Sequence, residues 1–201
     1  MVCRRFREIL AVVAVVLAVV APACAQDTEF AQPPEKLPKL QRGQDLDFLF
    51  GALKAAPDPE AAKAVEGRIW AVWLVSKSDT TNLLMTRVRA AVDSKNLDLA
   101  VQLLDKIVLL RPDYVEGWNR RATIRYMQKD YTRSIEDIRQ VLAREPRHFG
   151  ALSGLGYIMQ ELGDDKRALE VFRKAVDINP HLQKIQDLIK TLTEKVDGRD
   201  I

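Results

Sequence analysis

Cysteine and histidine are scarce: the 201 residues hold only Cys3, Cys24, His148 and His181 of these two types. Nine glycines are scattered without forming a phosphate-cradling loop. The longest apolar run, Ile9 to Ala21, has 13 residues, short of the roughly 20 that a spanning helix needs. Neither sign of charge dominates, with 31 Lys and Arg against 28 Asp and Glu. These shortages argue against a disulfide framework and a transmembrane anchor. A composition 47% hydrophobic and 29% charged also excludes collagen-like and disordered chains.

The first segment reads separately from the rest. Arg4, Arg5 and Arg7 precede the apolar run, and Ala23-Cys24-Ala25 supplies small residues before Gln26. Together these are the parts of a secretory signal peptide over 1–25. The rival reading makes Ala21-Pro22-Ala23-Cys24 a lipobox, with Cys24 lipidated and anchoring the chain, although Pro22 is foreign to that motif. Without 1–25, 176 residues remain, carrying 28 basic and 27 acidic side chains, because three arginines and one glutamate depart with the leader. Both cysteines depart too. The expected mature chain is thus periplasmic, near neutral and without a thiol, and must be held together by packing. It also lacks the clustered basic face that nucleic acid would require.

Residues 26–45 are polar and contain Pro33, Pro34 and Pro38, which suits an extended tether. Beyond them Pro112, Pro146 and Pro180 recur every 34 residues, each ending a helical pattern. On that period small residues align at Val88, Ala122 and Gly156, and again at Ala100, Ser134 and Ala168. Leu104, Ile138 and Phe172 follow one turn later. Small side chains let paired helices approach where they cross, and large ones fill the space to the next pair.

This register resembles the tetratricopeptide repeat, a 34-residue helix-turn-helix unit. Trp118 stands at its Trp position, Leu155-Gly156 at its Leu-Gly pair and Phe172 at its later aromatic, with turns at Asp130-Tyr131 and Gly163-Asp164. The resemblance implies an all-α fold, a right-handed solenoid of stacked antiparallel helix pairs. Three repeats are expected over 81–114, 115–148 and 149–182, closed by a capping helix over 183–201 that carries Ile185, Leu188, Ile189, Leu192 and Val196 on one face. Before them, 46–80 reads as a degenerate helix pair, broken at Pro57 and Pro59, that should close the N-terminal end with Trp70 and Trp73 in its core.

Candidate chemistry is sparse. His148 and His181 each follow a repeat proline, where exposed turn residues are expected, and no carboxylates are placed to complete a metal site with them. Carboxylate pairs such as Asp164-Asp165 sit at helix starts, where capping suffices to explain them. No catalytic residue, metal or cofactor is therefore expected. Arg87 and Arg121 stand one period apart where the family usually has Leu, and Arg125 replaces its Tyr. Buried guanidinium groups need partners, so either these arginines pair with Asp105, Glu136 or Asp137, or with Arg120 they form a basic stripe for an acidic partner.

The resemblance further implies a ligand groove along the first helices. Carried over by position, it contains Met85, Arg89, Asn119, Thr123, Tyr126, Met127, Tyr157 and Gln160, a mixed surface suited to a protein or peptide segment. Members that clamp the C-terminal carboxylate of chaperones use Lys, Asn and Arg at positions that here read Met85, Arg89, Arg120, Gly150 and Gly154, so that clamp is not expected. The function expected is that of a non-catalytic interaction scaffold or adaptor of the cell envelope. Self-assembly into a homo-oligomer is the alternative, and an enzyme or small-ligand protein the weakest reading.

Overall fold

The computed structural model describes residues 42–198, which form nine helices and no strand. The leader and most of the tether expected over 26–45 lie outside the described residues. The helices are α1 (Arg42–Lys54), α2 (Pro59–Leu74), α3 (Asp79–Asp93), α4 (Leu97–Leu110), α5 (Val115–Met127), α6 (Tyr131–Arg144), α7 (Phe149–Glu161), α8 (Asp165–Ile178) and α9 (Gln183–Asp197). From α3 onward they pack in chain order, each against the next, which makes this part a solenoid of stacked pairs.

The 34-residue period is visible in the turns as well as the helices. Asn96, Asp130 and Asp164 cap α4, α6 and α8 by accepting from the N–H three residues on, satisfying donors that a helix start leaves open. One residue before each cap, Lys95, Lys129 and Gly163 adopt positive φ of 59°, 61° and 78°, which reverses the chain within each pair. Only the third of these is glycine, so two lysines accept a conformation that costs a side-chain-bearing residue roughly 1 kcal/mol or more. Pro112, Pro146 and Pro180 then stop α4, α6 and α8, because proline lacks the N–H that continuation requires.

Packing follows the same period. Ala100, Leu104, Ala122, Ile138, Ala168 and Phe172 are all buried. Ser134 donates its Oγ to the Ala122 carbonyl at 2.8 Å where α5 and α6 cross. At Gly156 a Cβ would run into the Phe172 ring; the bulk of the aromatic is accommodated by removing the side chain opposite. Lys195 of α9 reaches the buried Asp165 at 2.7 Å, and Ile185 and Leu192 cover Phe172 and Leu169. The last helix thereby closes the C-terminal end.

The N-terminal pair behaves differently from a stacked repeat. It forms, with α1 beginning at Arg42 rather than Leu46, but it does not stack on α3 and α4. It lies along the turns that join one repeat to the next. Tyr114, His148 and Leu182 stand one period apart at the starts of α5, α7 and α9, and each meets the hairpin. The Tyr114 hydroxyl donates to the Leu74 carbonyl at 3.0 Å, His148 stacks on Trp73, and Leu182 packs into the hairpin core. Residues preceding the prolines join in: Arg111 donates to the Ser76 carbonyl at 2.8 Å and Asn179 donates to Glu66 at 3.1 Å. A 16-residue helix is about 24 Å long, enough to cross two steps between neighbouring pairs at roughly 8–10 Å per helix contact. As a result the outer face of the first pair is left open, with Leu83, Leu99 and Leu110 at 56%, 41% and 57% exposure.

Candidate functional site

The concave side carries a groove of about 630 Å³ between α3 and α5. Asn82, Met85 and Arg89 line it from α3, and Asn119, Arg120, Thr123 and Met127 from α5. Trp70 and Leu74 of α2 wall it at the end where the first helices start. A smaller basin of about 260 Å³ opens between α5 and α7, lined by Tyr126, Ser153 and Tyr157 and sharing Asn119 and Thr123 with the first. Of the predicted groove residues, Met85, Arg89, Asn119, Thr123 and Met127 line the larger basin, and Tyr126 and Tyr157 the smaller. Gln160, half-buried near the end of α7, lines neither.

Under the groove lies a buried polar cluster. Glu116, in the first turn of α5, is fully buried. Its Oε1 accepts from His148 Nε2 at 3.0 Å, and Asn119 Nδ2 lies 3.2 and 3.3 Å from its two oxygens. Arg120 Nε stands 3.7 Å from Oε2. His148 Nδ1 accepts from the Ala151 N–H at 3.0 Å, capping α7. That nitrogen carries no proton while it accepts, so the hydrogen sits on Nε2 and points at the carboxylate. The expectation that His148 is an exposed turn residue is therefore corrected: it has 0% exposure and joins three elements. The signal was present in the sequence, since Tyr114, His148 and Leu182 place a bulky side chain at the same repeat position, which a solvated turn does not need.

The four arginines of the candidate stripe do not share a face. Arg121 grips Asp137 with Nε and Nη2 at 3.0 and 2.7 Å and reaches Asp105 at 2.6 Å, while Arg125 donates to Asp137 at 2.9 Å. Burial works against the charge on Arg121, yet its bonds to Asp137 and Asp105 outweigh this and raise its pKa above the ordinary value. Trp118 completes the cluster, with the Arg121 and Arg144 guanidinium carbons 4.9 and 5.2 Å from its ring centroid. Arg120 turns to the groove instead. Arg87 is exposed on α3, because the residue one period before Asp137 is Leu103 and supplies no carboxylate. Glu136 is exposed and takes no share in the pairing with Arg121. Among the described residues no three His, Cys, Asp or Glu gather as metal ligands, and no helix is long and apolar enough to cross a membrane.

Stacked antiparallel helix pairs with a groove along the first helices define an α-solenoid. The tetratricopeptide repeat model matches residues 85–141 and 130–182. A TPR repeat-containing protein of Rhizobium etli is 41% identical over 155 residues, covering 77% of this chain and 76% of the relative. This chain belongs to the tetratricopeptide repeat family. Among solved structures, the Sgt2 TPR domain of Aspergillus fumigatus superposes with a TM-score of 0.56 at 18% identity, over 61% of this chain and 83% of that one. The first TPR of Spaghetti (RPAP3), bound to the HSP90 peptide SRMEEVD, gives 0.56 at 14% identity, over 60% and 95%. The TPR fold supports a protein–protein interaction scaffold.

Proposed function

We propose that this chain is a non-catalytic scaffold or adaptor of the bacterial cell envelope that holds a segment of another protein in its concave groove. The observation that carries the reading is the groove itself, an open basin of about 630 Å³ mixing amides, arginines and thioethers. Met127 offers an exposed, adaptable apolar side chain beside the Asn119 amide, a combination that suits an extended segment of mixed polarity. The similar Spaghetti domain was solved with a peptide bound. Export rests on the leader, with Arg4, Arg5 and Arg7 before an apolar run and small residues before Gln26.

A photo-reactive residue placed at Thr123 in intact cells is expected to capture a partner that the same residue at exposed Arg139 on α6 does not. Removing the Tyr126 and Tyr157 side chains together should weaken that capture. Equal capture from both positions, or capture indifferent to the two tyrosines, would overturn the groove assignment. The intact mass of the protein from the envelope fraction tests export separately: a chain starting at Gln26 supports it, one starting at a lipidated Cys24 makes it anchored, and a retained leader in the cytoplasm refutes it.

The uncovered Leu83, Leu99 and Leu110 favour a second reading, self-assembly through the first pair. Light scattering over a concentration series decides it. A strict monomer at high concentration rules it out.

A further inference from the structure

We propose that the α1–α2 hairpin is a strap that opens as a unit and sets how much of the concave face is available. Its attachment differs in kind from that of the other helices. Each of α3 to α9 packs lengthwise on its chain neighbours, whereas α2 packs lengthwise only on α1 and touches α5 marginally. The hairpin is held to the array at separate points along the inter-repeat turns. Four of these are polar: Asp47 with Arg147 at 2.6 Å, Glu66 with Asn179 at 3.1 Å, the Tyr114 hydroxyl donating to the Leu74 carbonyl at 3.0 Å and, just past α2, Arg111 donating to the Ser76 carbonyl at 2.8 Å. The first is solvent-exposed and contributes little.

Between these polar points the docking is made by rings. Trp73 stacks on His148, and Trp70 meets Trp73, His148 and Phe149 edge-on with centroids 5.2 to 5.6 Å apart. Trp70 stands on Gly150, in the first turn of α7, where a Cβ would come within 2.8 Å of the indole. A glycine there makes the seat. Lifting the hairpin removes Trp70 and Leu74 from the wall of the larger basin and uncovers Gly150, which borders the smaller one. It also takes Trp73 off His148, whose Nε2 holds Glu116, which in turn holds the groove-lining Asn119. Strap position and groove geometry are linked through that chain of contacts. Most of the hairpin's buried core is its own, and a segment that meets the array only at separate points can open as a unit at lower free energy than the body of the protein.

The proposal rests on the groove reading only for what the opening admits. Hydrogen exchange by mass spectrometry, on the full chain with no partner added, measures the opening itself, so failure of one does not count against the other. Amides of α1 and α2 are expected to exchange together at least tenfold faster than those of α5 to α8. Gly150→Ala does not weaken α7, since alanine is the better helix former, but its methyl occupies the Trp70 seat. It should accelerate exchange in α1 and α2 at least a further tenfold while α5 to α8 keep their protection and so report an intact fold. Trp70→Ala should do the same. The Asn119 side-chain amide resonance should move in both variants. Exchange of α1 and α2 in one cooperative unit with α5 to α8, or hairpin exchange indifferent to both substitutions, would overturn the strap. An unmoved Asn119 resonance with the hairpin open would overturn its link to the groove.

Discussion

The His148 imidazole lies flat on the Trp73 indole, centroids 4.1 Å apart and planes 12° from parallel, while its Nε2 holds the buried Glu116 at 3.0 Å. One residue of an inter-repeat turn thus caps α7, orders the carboxylate in the first turn of α5 and seats the N-terminal hairpin. Each task uses a different part of the ring: Nδ1, Nε2 and the π face.

Removing that ring should cost accordingly. His148→Ala loses a helix cap, worth about 1 kcal/mol, leaves a cavity, and deprives a buried carboxylate of a donor. The expected loss is about 3–5 kcal/mol, in the range for breaking a buried charged network, read from urea unfolding. His148→Asn can still cap α7 and should recover about 1 kcal/mol of it.

The buried Asp137 neutralises two largely covered arginines, so its removal leaves both without their main partner. Asp137→Ala should destabilise by about 3–5 kcal/mol, whereas Asp137→Leu combined with Arg121→Leu and Arg125→Met should lie much closer to the parent, because replacing a whole buried ionic cluster by apolar side chains is commonly near neutral. Urea midpoints of the single and triple variants test the pair of statements.

Gly156→Ala would raise helix propensity by roughly 1 kcal/mol in an open site. Here its methyl meets Phe172, and overpacking of this kind costs about 1–3 kcal/mol. A net loss is expected, relieved by adding Phe172→Leu. Thermal unfolding of the single and double variants provides the check.

The Asp164 carboxyl is held below its usual pKa by the Arg167 backbone N–H that it caps, aided by the Arg167 side chain. A group whose folded pKa is depressed adds stability above its unfolded pKa and loses it as pH falls through the folded value. Its contribution should therefore be present at neutral pH and fade below about pH 4, near the ordinary aspartate range. Asp164→Asn, which can still cap, should flatten that part of the stability profile; an unchanged acid limb in urea titrations from pH 5 to pH 2 would contradict it.

The repeat period was written in the sequence because each unit must solve the same local problem. A cap at Asn96, Asp130 and Asp164, a chain reversal just before it, a proline stop and a small residue opposite a large one are one-dimensional facts that recur at 34 residues. The period also fixes which side of a first helix faces inward, so most of the expected groove residues line one basin or the other, while Gln160 lies beyond the lining of both. The destination of the N-terminal hairpin was not legible in the same way. Its helices were readable from Pro57, Pro59 and the apolar spacing, but where they dock depends on surfaces that come together only after the repeats have stacked. The buried rings of Tyr114, His148 and Phe149 and the seat for Trp70 at Gly150 form one strip that no single repeat contains. The same holds for the arginines: their identities showed that charge was present, and only the positions of Asp105 and Asp137 on neighbouring helices determined that Arg121 and Arg125 are neutralised while Arg87 and Arg120 face solvent and groove. Sequence settled the local geometry of this protein, because that is governed by neighbours along the chain; tertiary structure decided what the hairpin covers and which charges remain available, because both are set by contacts between elements far apart in the sequence.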